Sequence, residues 1–175
     1  MRDRGFITIA SGEHEQDFAG FESLAKKKAV DFLQMDVCCQ GGFEMGLNVF
    51  DLAAANHLKF AFHSWGTMLE VLAAAQLGIC RDEEVVEWLE YPCYTYSDKR
   101  GMYPFPLSDD ILAEELEISD GYLRVPDTPG LGIEINEEVI HEYPFIPGPW
   151  SFFHQESPRE TIAVTGDHSI KWLKS

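Results

Sequence analysis

Short apolar runs alternate with longer segments of helical periodicity along the first half of the chain. The runs ITIASGE, VDFLQMD, KFAFH and VVEWLE predict strands at residues 6–12, 30–36, 59–63 and 85–90. Between them, FAGFESLAKKK predicts a helix over 18–28, its basic last turn matched to the helix dipole. Gly41-Gly42 marks a loop into a second helix over 43–56, and the Ala- and Leu-rich stretch 66–77 predicts a third. The order β-α-β-α-β-α-β predicts an α/β fold with a parallel sheet and right-handed crossovers.

A polar residue ends each apolar run: Glu13, Asp36, His63 and Glu90. Their separations of 23, 27 and 27 residues each match one strand-plus-helix unit. In a parallel α/β sheet such strand ends share one face, the face where ligands bind. Four ionisable side chains are therefore expected to converge.

The texture changes after Pro92, where Pro, Tyr, Gly and Asp follow without clear periodicity. Gly121–Val125 predicts a strand running into the turn-rich PDTPGLGIEI, and 137–143 a short helix. PFIPGPWSFF is apolar but Pro-rich, and is expected to wrap over a surface. From Ser157 onward no pattern points to a function.

Composition narrows the partners. The 175 residues suffice for one domain with a core, and 45% hydrophobic content is ordinary for a globular chain. Thirty acidic against thirteen basic residues give a net charge of −17, which disfavours nucleic acid and anionic membranes and favours cations near carboxylate clusters. No stretch reaches the ~20 apolar residues of a membrane helix. Adjacent Cys38 and Cys39, with Cys80 and Cys93, form no CxxC pattern; buried apolar thiols in a reducing cytoplasm are expected.

Each strand-end residue has a functional and an ordinary reading. Glu13 in SGEHE offers a hard oxygen to Mg²⁺, or is a solvated loop carboxylate. Asp36 and His63 form a dyad in which the carboxylate fixes the imidazole tautomer, or are a helix cap and a satisfied buried histidine. Glu90 is an acid kept neutral by burial and donating to a substrate oxygen, or a plain strand-end charge. His14, Ser64 and Trp65 flank the set and could touch substrate; as loop residues they need no role. Glu15 and Gln40 stand in the same relation. Lys26-Lys27-Lys28 reads as a solvated helix end.

Taken together, ITIASGEHE, AVDFLQMDVCCQGGF, FAFHSWGT, VEWLEYP and VPDTPGLGIEIN resemble the C-terminal half of enolase-superfamily proteins of the mandelate racemase/muconate lactonizing enzyme type. The resemblance covers about residues 6–150. It implies the C-terminal half of a TIM-like (β/α)7β barrel of four parallel strands and three helices over 1–97, a segment over 98–153 returning to a capping domain, and a tail over 154–175. By the same resemblance Glu13 is a Mg²⁺ ligand, Asp36 and His63 a proton-relay dyad, and Glu90 an electrophilic acid. The implied chemistry is abstraction of the proton α to a carboxylate, followed by loss of water from an acid sugar. A 2-hydroxy-acid racemase or epimerase and a non-catalytic remnant are the alternatives. The family's first four barrel strands, with two metal carboxylates and a lysine base, have no counterpart in this sequence. The chain alone is therefore expected to bind Mg²⁺ weakly or not at all, and to pair with itself or with a missing half.

Overall fold

A computed structural model describes residues 7–91, 108 and 110–142. The chain divides into two compact units, Met1–Pro92 with Leu116–Gly132, and Cys93–Glu115 with Ile133–Ser175. In the first unit the predicted alternation is present: β1 (Ala10–Ser11), α1 (Phe18–Lys26), β2 (Phe32–Met35), α2 (Gly42–Ala55), β3 (Lys59–Phe62), α3 (Met68–Gly78) and β4 (Val86–Leu89). All three strand pairings are parallel, in the order β1-β2-β3-β4.

Strand alternation sorts the side chains between two faces. Leu33, Met35, Phe60 and Phe62 turn toward the helices and join Phe21, Val49, Phe50, Ala74 and Leu77 in one buried core. Phe50, Phe60 and Phe62 meet edge to face, with centroids 4.5 to 5.9 Å apart. The opposite face carries Gln34 and Asp36 from β2, and Ala61 and His63 from β3. On β4 a bulge changes the parity: Phe60 pairs with Val86, but Ala61 pairs with Trp88, leaving Glu87 as the extra residue. Trp88 and Glu90 are thereby turned to the same face as Ala61 and His63.

The helices begin on local signals. Asp17 Oδ1 accepts the Gly20 N–H at the start of α1, and the Thr67 hydroxyl accepts that of Leu69 at the start of α3. The strand expected over 6–12 is regular only at Ala10–Ser11, because Gly12, at φ +141°, ends it. A Cβ at Gly12 would lie 2.4 Å from the Gln34 carbonyl oxygen, so only glycine lets β1 approach β2 here.

Beyond β4, β5 (Ile118–Ser119) and β6 (Tyr122–Leu123) form a hairpin over Asp120-Gly121, both at positive φ. The following turns are tied to α3 by Gln76, whose Nε2 donates to Pro126 and Leu131 carbonyls at 3.1 Å each. In the second unit, Leu112 bridges Ile135, and α4 spans Glu137–Glu142. PFIPGPWSFF, the segment 154–175 and Cys93 lie outside the described residues. No helix among the described residues is long and apolar enough to cross a membrane.

Candidate functional site

The hydrogen-bond ladder runs one step past each strand and fixes the residues beyond. His63 N donates to the Met35 carbonyl at 3.0 Å, and Glu90 N to the Phe62 carbonyl at 3.2 Å. The four strand-end residues consequently gather at one end of the sheet.

Asp36 and His63 form the centre. Asp36 is 3% exposed; its Oδ1 accepts the backbone N–H groups of Cys38 and Cys39 at 2.8 Å each. That leaves Oδ2 facing His63 Nδ1 at 3.1 Å. A carboxylate at Nδ1 holds the ring proton there and leaves Nε2 bare. On the other side of the ring, Glu13 Oε2 lies 3.3 Å from Nε2. Glu13 Oε1 lies 3.2 Å from His14 Nε2, an almost fully exposed ring.

Gln40, 4% exposed, fixes this geometry. Its Oε1 accepts the Asp36 N–H at 2.7 Å, while its Nε2 donates to the Gly12 carbonyl at 2.8 Å and to the Glu15 carbonyl. One amide thus ties the Glu13 turn to the end of β2.

Glu90 accepts from Gln34 Nε2 at 2.7 Å and from Ser64 N at 3.1 Å, one donor on each oxygen. The described residues leave Glu90 exposed, so the burial expected to keep it a neutral acid is not supplied by them. Ser64 is 2% exposed and offers its backbone N–H to the cluster; its hydroxyl makes no hydrogen bond among the described residues. Trp65 is half exposed at the rim.

The residue that strand-end reasoning missed is Glu70, in the first turn of α3. It is 7% exposed, and its Oε1 accepts the Trp65 N–H at 2.9 Å. Asp36, His63 and Glu70 each bring one polar side-chain atom within 4.8 Å of the others. Burial, then the neighbouring Asp36 charge, pushes the Glu70 carboxyl up to about 7. The sequence did carry a signal, since Thr67-Met-Leu-Glu70 has the T-x-x-E spacing of a capping box. Here the glutamate reaches past the cap residue to Trp65. Burial, followed by the charges of Glu70 and Asp36, lifts the Cys38 thiol to about 11, and burial and Asp36 also raise Cys39.

Mg²⁺ favours near-octahedral coordination by about six oxygens. Glu13, a third exposed, is a suitable carboxylate, but it is one ligand. In the Asp36–His63–Glu70 group, Asp36 and Glu70 already spend oxygens on backbone N–H groups and on the imidazole. The described residues therefore do not by themselves form a Mg²⁺ site.

Known proteins share this arrangement of strands and helices. Residues 2–139 match the family described as enolase C-terminal domain-like, and the chain belongs to that family. It is 32% identical over 139 residues to D-galactarolactone cycloisomerase of Agrobacterium fabrum, covering 78% of this chain and 35% of that protein. It is 28% identical over 137 residues to arabinonate dehydratase of Saccharolobus solfataricus, covering 78% and 34%. The crystal structure of the 3,6-anhydro-D-galactonate cycloisomerase from Zobellia galactanivorans superposes with a TM-score of 0.65 at 28% identity, covering 81% of this chain and 37% of that one. Solved mandelate racemase/muconate lactonizing enzyme relatives share the fold, this chain matching only part of each. The chain spans about a third of the length of the relatives it matches.

Proposed function

We propose that this chain carries the proton-relay part of an acid-sugar dehydratase site. The observation that carries the reading is the His63 ring, held by buried Asp36 at Nδ1 with Nε2 toward the Glu13 carboxylate. In this reading His63 Nε2 takes the proton α to the substrate carboxylate. Asp36 stabilises the imidazolium that forms. The imidazolium then returns that proton to the departing β-hydroxyl, water leaves, and the resulting enol becomes a 2-keto acid. Glu90, braced by Gln34 and Ser64 N, lies beside the carbonyl oxygen that gains charge; to donate there it must carry a proton on a remaining lone pair. His14 and Trp65, at the rim, contact the sugar chain. The relatives named as arabinonate dehydratase and D-galactarolactone cycloisomerase support an acid-sugar substrate. Cys38, Cys39 and Cys80 are exposed, against the burial expected of them; as free thiols they fit a reducing cytoplasm.

Mg²⁺ would supply charge neutralisation at the substrate carboxylate when bound, with Glu13 as one of its ligands. In this reading the remaining ligands are supplied from outside the described residues. That single-carboxylate supply also favours the second reading, a fold-only protein without turnover.

The test incubates the protein with Mg²⁺ and a panel of aldonates and aldarates and measures 2-keto acid formation. The dehydratase reading expects product from at least one sugar acid. A folded protein that converts none of the panel would favour the fold-only reading.

A further inference from the structure

The site contains a buried ionisable group that the relay described above does not use. Glu70 lies beside Asp36 and His63, one polar side-chain atom of each within 4.8 Å of the others. Two observations show that its place is built. Its Oε1 accepts the Trp65 N–H at 2.9 Å. Its Oε2 occupies the space that a side chain at residue 66 would fill, since a Cβ on Gly66 would lie 1.9 Å from that oxygen. Glycine at 66 is therefore what admits the carboxyl to the dyad.

Two carboxyl groups this close, and this poorly solvated, resist being ionised together. We propose that Glu70 is a positioning residue of the relay, a carboxylic acid that donates its proton to Asp36 and, by losing that proton to solvent, doubles the negative charge beside His63. The proposal deepens the reading of Asp36 and His63 as a proton relay and rests on it. The groups facing Glu70 are Asp36 at the end of β2, Cys38 and Cys39 in the loop that follows, and His63 at the end of β3. The thiols stay neutral near neutral pH because both are pushed upward, so Glu70 is the acid whose charge changes there.

The consequence is a relay whose basicity depends on pH. With Glu70 protonated, His63 has one carboxylate at its back, and Asp36 is partly spent accepting the Glu70 proton. With Glu70 ionised, Asp36 turns its full charge on the ring and the imidazolium is favoured. Such a group tunes proton abstraction against proton return, and it does so without touching substrate.

The experiment follows an isotopically labelled sample of the protein by NMR from about pH 5 to about pH 9. In the wild type, the Glu70 carboxyl carbon and the Trp65 amide should move together with a midpoint near 7, and the His63 ring resonances should show an inflection at the same pH. Glu70→Gln keeps the size of the side chain and an acceptor for Trp65 N, so a packing role survives it. The Trp65 inflection should nevertheless vanish, and the His63 profile should differ from that of the wild type. Gly66→Ala, which displaces the carboxyl, should change the His63 profile as well. The proposal is overturned if Glu70 titrates in the ordinary carboxylate range of about 4 to 5. It is equally overturned if His63 behaves identically in the wild type and in Glu70→Gln. The wild-type titration stands even if a variant fails to fold. These readouts need no substrate, so failure of the dehydratase assay leaves them unmoved.

Discussion

Asp36→Asn isolates the electrostatic role of the dyad from its structural one. Asp36 Oδ1 holds the Cys38 and Cys39 N–H groups at 2.8 Å, and an asparagine oxygen keeps both bonds. A hydrogen bond to a charged acceptor is worth about 1.5–3 kcal/mol and a neutral one about 0.5–1.5, so the two together weaken by about 2 kcal/mol. The fold should survive that loss. The other side-chain position, 3.1 Å from His63 Nδ1, changes from an acceptor to an amide donor. Nδ1 must then accept, the ring proton moves to Nε2, and the base has no lone pair facing its substrate. The same tautomer error in a Ser–His–Asp triad costs about 10⁴-fold in turnover. That is about 5.5 kcal/mol of barrier. Histidine-selective ¹⁵N NMR reads the tautomer directly, urea unfolding reads the stability, and 2-keto acid formation reads the rate. Retention of the proton on Nδ1 in Asp36→Asn, or turnover close to wild type, would refute the reasoning.

Three further outcomes are expected. Gln40→Leu strips the partners from the Asp36 N–H and the Glu15 carbonyl, while the Gly12 carbonyl keeps the Glu15 N–H; at about 1–3 kcal/mol per buried unsatisfied group, urea unfolding should show a loss of about 2 kcal/mol. Glu70 binds its proton more tightly in the folded chain, at about 7, than the ordinary 4.5 of an unfolded one. Its contribution is therefore full below about 4.5 and is lost as the pH rises to about 7, and Glu70→Gln should flatten that part of the stability–pH curve. Cys38, lifted from 9.0 to about 11, should alkylate at pH 8 roughly a hundredfold more slowly than an ordinary thiol, because its thiolate fraction falls by that factor.

Much of this was legible in the order of residues. The apolar runs located β2, β3 and β4 to within a residue or two; β2 and β3, buried on both faces, read as continuous hydrophobic segments, while β4 keeps an apolar run although half of it is exposed. The near-constant interval between Glu13, Asp36, His63 and Glu90 was enough to gather them, since a parallel sheet sets strand ends side by side. The orientation of Glu90 was not legible, because it depends on the single-residue bulge at Glu87, which no local pattern marks. Glu70 escaped for a different reason. Its T-x-x-E spacing signals a helix cap, and only tertiary packing over Gly66 converts the cap residue into a neighbour of Asp36. Gln40 stood out only as a residue near the site; that one amide spans the ends of β1 and β2 follows from the fold. The exposure of Glu90, against the expected burial, is shared with Trp88 on the same face of β4, the part of that face the described residues leave uncovered.

His63→Asn tests the central claim most directly. The substitution removes the proton-accepting ring held between Asp36 and Glu13 while keeping a polar side chain of similar reach. The measurement is exchange of the substrate α-proton with solvent deuterium, followed by NMR on the sugar acid that the wild-type protein converts, in the presence of Mg²⁺. The relay requires that exchange and 2-keto acid formation fall together by at least about 10³-fold, within the range for loss of a positioned general base. Exchange at the wild-type rate in a folded His63→Asn protein would contradict it.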